Sequence, residues 1–164
     1  MWLIRHHPPI KTQLPTVGNY FLPNASFFST IFLVKYQAGY KYQLHEDYSC
    51  ESVIRGFTIN HGFFSLGADG RLLIRAGYAW DGASGPTHDD KTNMRGSLVH
   101  DAHYQMMRDG FVPQSFEPVV DSQFEAMCRE DGMGFFRAWY YHKGVQWFGK
   151  SSCAPQPERI YEAP

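Results

Sequence analysis

The chain has 164 residues, of which 43% are apolar and 16% aromatic, and its formal net charge is -1. This length and composition predict one domain with a substantial core and disfavour an intrinsically disordered protein. A net charge so close to zero provides no basic field for DNA or RNA, so we expect no nucleic-acid partner. The three cysteines are far apart and form no CxxC pair, which disfavours zinc knuckles and disulfide frameworks.

The N-terminal stretch has the composition of an irregular arm. The first 26 residues contain four prolines, which are Pro8, Pro9, Pro15 and Pro23. Each proline removes a backbone donor and fixes φ, so we predict an arm over 1–26. No secretory signal is visible, and the most apolar run, 27–34, is shorter than the roughly 20 residues of a transmembrane helix.

Residues 53–78 have the pattern of antiparallel strands. Apolar or alternating stretches at 57–60 and 63–66 precede the turn Gly67-Ala-Asp-Gly70, and 71–78 returns as the next strand. The Asp-Gly pair supplies the backbone angles that a tight hairpin turn requires.

Three helices are predicted in the second half of the chain, over 93–109, 116–131 and 135–148. Ser115 is the predicted N-cap of the second helix. The predicted fold class is therefore α+β, with an N-terminal antiparallel sheet of hairpins followed by three helices. We expect a single domain over 27–150 and a loose C-terminal tail over 151–164.

The first helix has a polar and an apolar face. At helical spacing, His100, His103, Tyr104 and Met107 share one face. The roughly opposite face is apolar and is predicted to be buried; its members are Met94, Leu98, Ala102 and Met106. The third helix carries the aromatic residues Phe135, Phe136, Trp139, Tyr140, Tyr141, Trp147 and Phe148. These predict core packing, with docking on a membrane interface as the alternative.

A glycine-rich loop, Trp80-Asp-Gly-Ala-Ser-Gly85, lies shortly before the first helix. Such turns can direct several carbonyl oxygens at one point, and calcium takes six to eight oxygen ligands. A carboxylate next to His100, that of Asp101, is placed to complete a calcium site. Asp121 follows His100 by 21 residues near the start of the second helix. Two antiparallel helices would bring it beside His100, where it would fix the tautomer of the imidazole.

These motifs resemble the phospholipase A2 pattern, in which a calcium loop and an acidic pair precede His-Asp-x-x-Tyr on a helix. The stretch Val120-Asp-Ser-Gln-Phe124 resembles the second helix of the compact phospholipase domain of parvovirus capsid proteins. The resemblance implies that His100 is the general base, Asp121 its dyad aspartate and Tyr104 the tyrosine that supports this aspartate. It also implies a phospholipase A2-like helix pair and a calcium site made of Asp101 and the carbonyls of Trp80, Gly82 and Ser84. Asp81 adds a carboxylate within the loop.

A second resemblance covers more of the chain. Gly77-Tyr-Ala-Trp-Asp-Gly-Ala-Ser84, Val99-His-Asp-Ala-His-Tyr104 and Asp121-Ser-Gln-Phe124 resemble an uncharacterised family common in tailed phages. It implies a phage origin without an assigned activity. We therefore expect production in the host cytoplasm, with the virion as a further destination.

The predicted function is that of a calcium-dependent, phospholipase A2-like lipid-ester hydrolase that acts on a phospholipid or membrane surface. One alternative is a non-catalytic phage virion or assembly protein that retains the fold and contacts other virion proteins through its arm. Another is a regulatory protein that binds a metal or a host factor. For this alternative, His88, Asp89 and Asp90 with His100 or His103 are candidate ligands of a transition metal such as Zn²⁺.

Overall fold

The structure, a computed structural model, describes residues 36–37, 41–83 and 88–155. The predicted arm over 1–26 and the end of the tail lie outside the described residues. Within them, antiparallel strands come first and three α-helices follow, which confirms the predicted α+β fold class. Among the described helices, none is both long and apolar enough to cross a membrane.

The described residues contain seven short strands, which form two antiparallel sheets. The strands are β1 (Tyr36–Gln37), β2 (Tyr42–Leu44), β3 (Tyr48–Glu51), β4 (Ile59–Asn60), β5 (Phe64–Leu66), β6 (Arg71–Ile74) and β7 (Ala79–Trp80). One sheet has the order β1-β2-β7 and the other the order β3-β6-β5-β4. The helices are α1 (Met94–Arg108), α2 (Glu117–Glu130) and α3 (Phe135–Phe148), with a 3₁₀ turn at Gln114–Phe116.

The β5–β6 hairpin has the predicted turn. Leu66 pairs with Leu72, and Gly70 takes a φ of +92°, a left-handed value at which a side chain would be strained. Phe64 and Ile74, which pair across the same two strands, are fully buried. The hairpin therefore forms one wall of the main core.

β7 carries the glycine-rich loop to the helices. It pairs with β2 through Tyr42 and Trp80, and the Trp80 indole is buried with its Nε1 donating to Ser97 Oγ on α1 at 3.2 Å. Residues that follow Trp80 are thus fixed beside α1.

The antiparallel contact between α1 and α2 determines which side chains of the two helices meet. Near the start of α1, the buried Arg95 guanidinium lies 2.9 Å from Asp131 and 2.8 Å from Glu130 at the end of α2. The next residue, Gly96, has no side chain, and a Cβ there would lie 3.2 Å from the Phe124 ring. The close approach brings the next turn of α1 opposite the start of α2.

Three details differ from the sequence-based expectations. The polar face of α1 is buried as well as the apolar one, because α1 is packed between the sheets and the other helices. Ser115 does not cap α2: the N-cap is Phe116, without a side-chain hydrogen bond, because residues 114–116 form the 3₁₀ turn. Residues 151–155 are not loose, since Cys153 is buried and its carbonyl accepts from Gln114 Nε2 at 3.2 Å.

Candidate active site

His100 and Asp121 form a buried pair between α1 and α2. The distance from His100 Nε2 to Asp121 Oδ1 is 2.9 Å, and the Asp121 side chain is fully buried. An ionised carboxylate only accepts hydrogen bonds, so the proton of a neutral ring lies on Nε2 and Nδ1 is left as an acceptor. The spacing of the two residues predicted this proximity, and the structure brings them together.

Tyr104, about one turn after His100 on α1, also hydrogen-bonds to the Asp121 carboxylate. Its hydroxyl donates to Asp121 Oδ1 at 2.9 Å, and its ring centroid lies 4.0 Å from that of His100. Burial first, and then the adjacent charge of Asp121, raise the pKa of Tyr104, so its hydroxyl stays protonated as a donor. Two donors therefore converge on one oxygen of Asp121, which fixes the carboxylate and the imidazole together.

The other ring nitrogen of His100 lies toward Asp101. The distance from His100 Nδ1 to Asp101 Oδ1 is 3.7 Å, beyond a hydrogen bond. Burial alone lowers the pKa of His100, but the carboxylates of Asp101 and Asp121 outweigh it, so that the pKa is raised above its ordinary value. A raised pKa makes the ring a stronger base, which is what proton abstraction requires.

Asp101 lies at the junction between α1 and the glycine-rich loop. Its side chain is one-quarter exposed. Burial raises its pKa, while the His100 ring and a hydrogen bond from the backbone N–H of Asp81 act in the opposite direction. The net pKa is raised, so this carboxylate lacks sufficient compensation from the described residues and gains from any further cation.

The loop is fixed from outside by Asp89. Its Oδ1 accepts from the Ala83 N–H at 2.8 Å, and its Oδ2 accepts from the Tyr42 hydroxyl at 3.0 Å and lies 3.4 Å from Lys41 Nζ. Gly82 has a φ of +78°, and a Cβ there would lie 2.5 Å from this carboxylate. Glycine is therefore required at position 82 by both backbone angle and space.

His100, Asp101 and Tyr104 line a pocket of about 310 Å³. The pocket is bounded by β7 and the loop, by one stripe of α1 and by the end of α3; its lining includes Trp80, Asp81, His100, Asp101, Tyr104, Gln105, Arg108, Val145, Phe148, Gly149 and Ser152. A small cavity with both polar and apolar lining beside a histidine–carboxylate pair suits the attack of water on a bound ester.

Some predicted residues lie elsewhere. His103 is fully buried, and its Nε2 lies 2.8 Å from Ser52 Oγ, on a different side of α1 from the pocket. The His88 side chain is exposed, and its backbone groups bond to Tyr141. His100 and His103, which helical spacing puts on one face of α1, do not meet in one site, because α1 contacts different elements at these two positions. Ser84 lies outside the described residues.

Several residues that line the pocket were not predicted from the sequence. Gln105 and Arg108 continue the stripe of Asp101 and Tyr104 along α1, a spacing of three to four residues that the sequence did contain. Phe148 and Ser152 enter the lining only because α3 returns to this end of the molecule. No local sequence signal identifies such contacts.

Across 41–83 and 88–155, no three or more His, Cys, Asp or Glu side chains are grouped as a metal site. No protein-family model, no curated protein and no solved structure matches the chain. The phospholipase A2 and tailed-phage resemblances remain predictions that rest on the motifs.

Proposed function

We propose that this protein is a phospholipase A2-like hydrolase that cleaves a lipid ester with His100 as general base. The observation that supports this best is the hydrogen bond of 2.9 Å between His100 Nε2 and the fully buried Asp121. It leaves Nδ1 as the free basic atom of the ring, on a residue that lines the pocket. Asp101 and the loop lie at the same pocket.

The mechanism follows from the positions of the two ring nitrogens. Nδ1 of His100 removes a proton from a water molecule, whose oxygen attacks the ester carbonyl carbon. The ring is then a cation, which the buried Asp121 carboxylate stabilises through Nε2–H. When the tetrahedral intermediate collapses, Nδ1–H returns the proton to the leaving alkoxide. No covalent bond to the protein forms, and the base is regenerated.

The oxygen atoms around Asp101 suit calcium. The proposed ligands are the carboxylate of Asp101, with that of Asp81 as a further donor, and the backbone carbonyls of Trp80, Gly82 and Ser84. This donor set contains oxygen alone, which calcium prefers and zinc does not. Bound calcium would polarise the ester carbonyl and neutralise the developing oxyanion. The raised pKa of Asp101 supports the assignment, since an under-compensated carboxylate favours a cation partner.

The motif shared with the tailed-phage family supports a phage source. In a virion, a calcium-dependent lipase stays inactive until it meets calcium outside a cell, which avoids damage to the membranes of the producing cell. The non-catalytic virion protein is the competing proposal, and it predicts no hydrolysis.

The test is fatty-acid release from phospholipid micelles with millimolar calcium, comparing the wild type with His100→Gln. The variant should lose about 10²–10⁴-fold in rate. His142→Gln is a matched control, because His142 Nδ1 contacts Glu125 Oε2 between α2 and α3 and neither residue lines the pocket. This control should keep the wild-type rate within a few-fold. No release by a folded wild type would overturn the proposal in favour of the non-catalytic protein.

Calcium dependence is tested separately by calorimetry on the wild type and Asp101→Asn. We expect binding by the wild type and loss of binding in the variant. Hydrolysis that persists in a chelator would contradict the calcium site while leaving the base assignment in place.

A further inference from the structure

α3 exposes an unusual number of large aromatic side chains. Their exposed fractions are 56% for Phe135, 82% for Phe136, 50% for Trp139, 45% for Tyr140, 73% for Trp147 and 56% for Phe148. Exposed apolar patches of this kind mark interaction sites in folded proteins. The expectation that these aromatics form core is therefore wrong for all of them except Tyr141, which is buried.

The exposed residues occupy one side of the helix. At about 100° per residue, five of them fall within an arc of about 140°. These five, the aromatic face, are Phe135, Phe136, Trp139, Tyr140 and Trp147. The other side holds the buried residues Ala138, Tyr141 and Val145, which pack with Phe124 and Cys128 of α2. α3 is thus anchored by one side, while the aromatic face is outward among the described residues.

The charged residues of α3 and of the segment just after it are all basic, although Asp90 and Glu125 from other elements contact Arg137 and His142. No Asp or Glu occurs between 135 and 150, whereas Arg137, Lys143 and Lys150 do. Arg137 is paired with Asp90 at 2.6 Å. Lys143 and Lys150 form no ion pair with a carboxylate of the described residues, and Lys143 lies near the centre of the arc. A face of Trp, Tyr and Phe with interspersed lysines has the chemistry of a helix that lies on an anionic lipid surface.

The face also continues into the pocket. Phe148, more than half exposed, lines the pocket together with Val145 and Gly149, and His100 lies in the same cavity. Trp147, next to Phe148, belongs to the aromatic face. A surface that contacts Trp147 therefore lies next to the pocket wall.

We propose that the aromatic face of α3 docks on the headgroup region of an anionic phospholipid bilayer, with Lys143 and Lys150 contacting phosphate groups. A role of this docking in catalysis rests on the proposed function: the docked helix would hold the pocket next to its lipid substrate. The docking itself requires no hydrolysis. A second copy of this chain, or residues 1–35, are the other occupants that the experiment separates.

The experiment is vesicle flotation of the full chain carrying His100→Gln, so that hydrolysis does not change the lipid. Vesicles contain phosphatidylcholine alone or mixed with phosphatidylglycerol. We expect partition into the anionic vesicles, weakened by at least about tenfold when Phe136→Ser and Trp147→Ser are added, because each buries a large apolar area in the interface. Phe63→Ser is the matched control, since Phe63 is 48% exposed but lies beside β5. It should change partition less than threefold.

Lys143→Gln with Lys150→Gln tests the electrostatic part. This pair should weaken binding to anionic vesicles severalfold and flatten its dependence on salt. Circular dichroism of each variant verifies folding, which surface substitutions should preserve.

Two results would overturn the proposal. One is that the folded parent chain does not float with anionic vesicles at low salt, which is the outcome expected if residues 1–35 cover the face. The other is a dimer that Phe136→Ser and Trp147→Ser dissociate without any change in vesicle binding, which would assign the face to a second copy. Because every protein in the experiment carries His100→Gln, an absence of lipase activity in the wild type would not affect either outcome.

Discussion

His100 and His103 lie less than one turn apart on α1, and both are buried, yet their proton affinities move in opposite directions. His100 Nε2 is 2.9 Å from the Asp121 carboxylate, and its pKa is raised. His103 Nε2 is 2.8 Å from the neutral Ser52 hydroxyl, and burial together with the charge of His100 lowers its pKa to about 3. The difference shows that burial alone does not make a histidine a base. A buried imidazole accepts a proton only where a carboxylate stabilises the resulting cation.

The largest expected effect comes from Asp121→Asn, which gives His100 a neutral partner like that of His103. Hydrolysis should fall by about 10²–10⁴-fold, since an amide does not stabilise the imidazolium and permits the wrong tautomer. In calcium-free protein the pKa of His100 should also fall, because one of the two carboxylates that raise it is removed. Fatty-acid release and NMR titration of the imidazole measure the two quantities.

The control for this variant is Asp109→Asn, at the exposed C-terminal end of α1. It makes the same chemical change away from the pocket and should leave both quantities within error of the wild type. An unchanged pKa of His100 in Asp121→Asn would assign the raised value to Asp101 instead.

The second expected effect is a decrease in the free energy of unfolding at acidic pH, which arises from His103. Its pKa is about 3 in the folded protein and about 6.5 when unfolded. Between these values the unfolded chain binds one more proton, so the free energy of unfolding decreases as the pH falls below about 6.5. The slope is about 1.4 kcal/mol per pH unit, or about 3 kcal/mol by pH 4. His100, with a raised pKa, acts with the opposite sign: its stabilisation is present below about 6.5 and is lost as the pH rises through its folded value.

Urea unfolding at pH 7 and pH 4.5 measures this effect. His103→Gln should lose about 2–3 kcal/mol less than the wild type between the two pH values. His45→Gln, at an exposed position, should lose as much as the wild type. Equal losses in His103→Gln and the wild type would show that His103 takes up no extra proton on unfolding.

Tyr104→Phe makes a smaller change to the environment of Asp121, the carboxylate that distinguishes His100 from His103. It removes one of the two donors to Asp121 Oδ1, while Asp121 Oδ2 is already buried without a partner in the described structure. The free energy of unfolding should decrease by roughly 1.5–3 kcal/mol, the range for a hydrogen bond to a charged group. Urea unfolding at pH 7 gives the value. A variant as stable as the wild type would mean that water replaces the tyrosine hydroxyl.

The sequence predicted the elements and the central pair because both depend on local spacing. Helix periodicity placed α1 and α2 to within two residues, and an antiparallel pair of helices brings Asp121 to His100 at a separation of 21 residues. The different surroundings of His100 and His103 were not predictable from local spacing. A helical wheel gives the angle between two side chains but not which distant element each one contacts, and Ser52 is 51 residues from His103.

The position of the glycine-rich loop and the exposure of α3 also depend on residues far away in the sequence. The Asp89 carboxylate holds the loop at Ala83 and contacts Tyr42, 47 residues away. In α3, the aromatic composition indicated core, but residues are buried only where another element covers them. Among the described residues, α2 covers only one side of α3. On the outward side, Phe136 is 82% exposed. Composition reports how much a side chain gains from burial, not whether a neighbour is available.

The smallest effect on hydrolysis comes from Ser52→Ala, which removes the neutral partner of His103. Ser52 Oγ also accepts from the Ile54 N–H at 2.9 Å, so the variant removes two hydrogen bonds at a buried position. We expect a loss of about 1–3 kcal/mol, because each neutral hydrogen bond contributes about 0.5–1.5 kcal/mol, together with unchanged hydrolysis, because His103 does not line the pocket. Ser122→Ala removes an exposed hydroxyl bonded to Pro118 O and should change stability by less than about 0.5 kcal/mol. A drop in hydrolysis beyond that explained by unfolding would show that the two histidines are coupled, since the charge of His100 already lowers the pKa of His103.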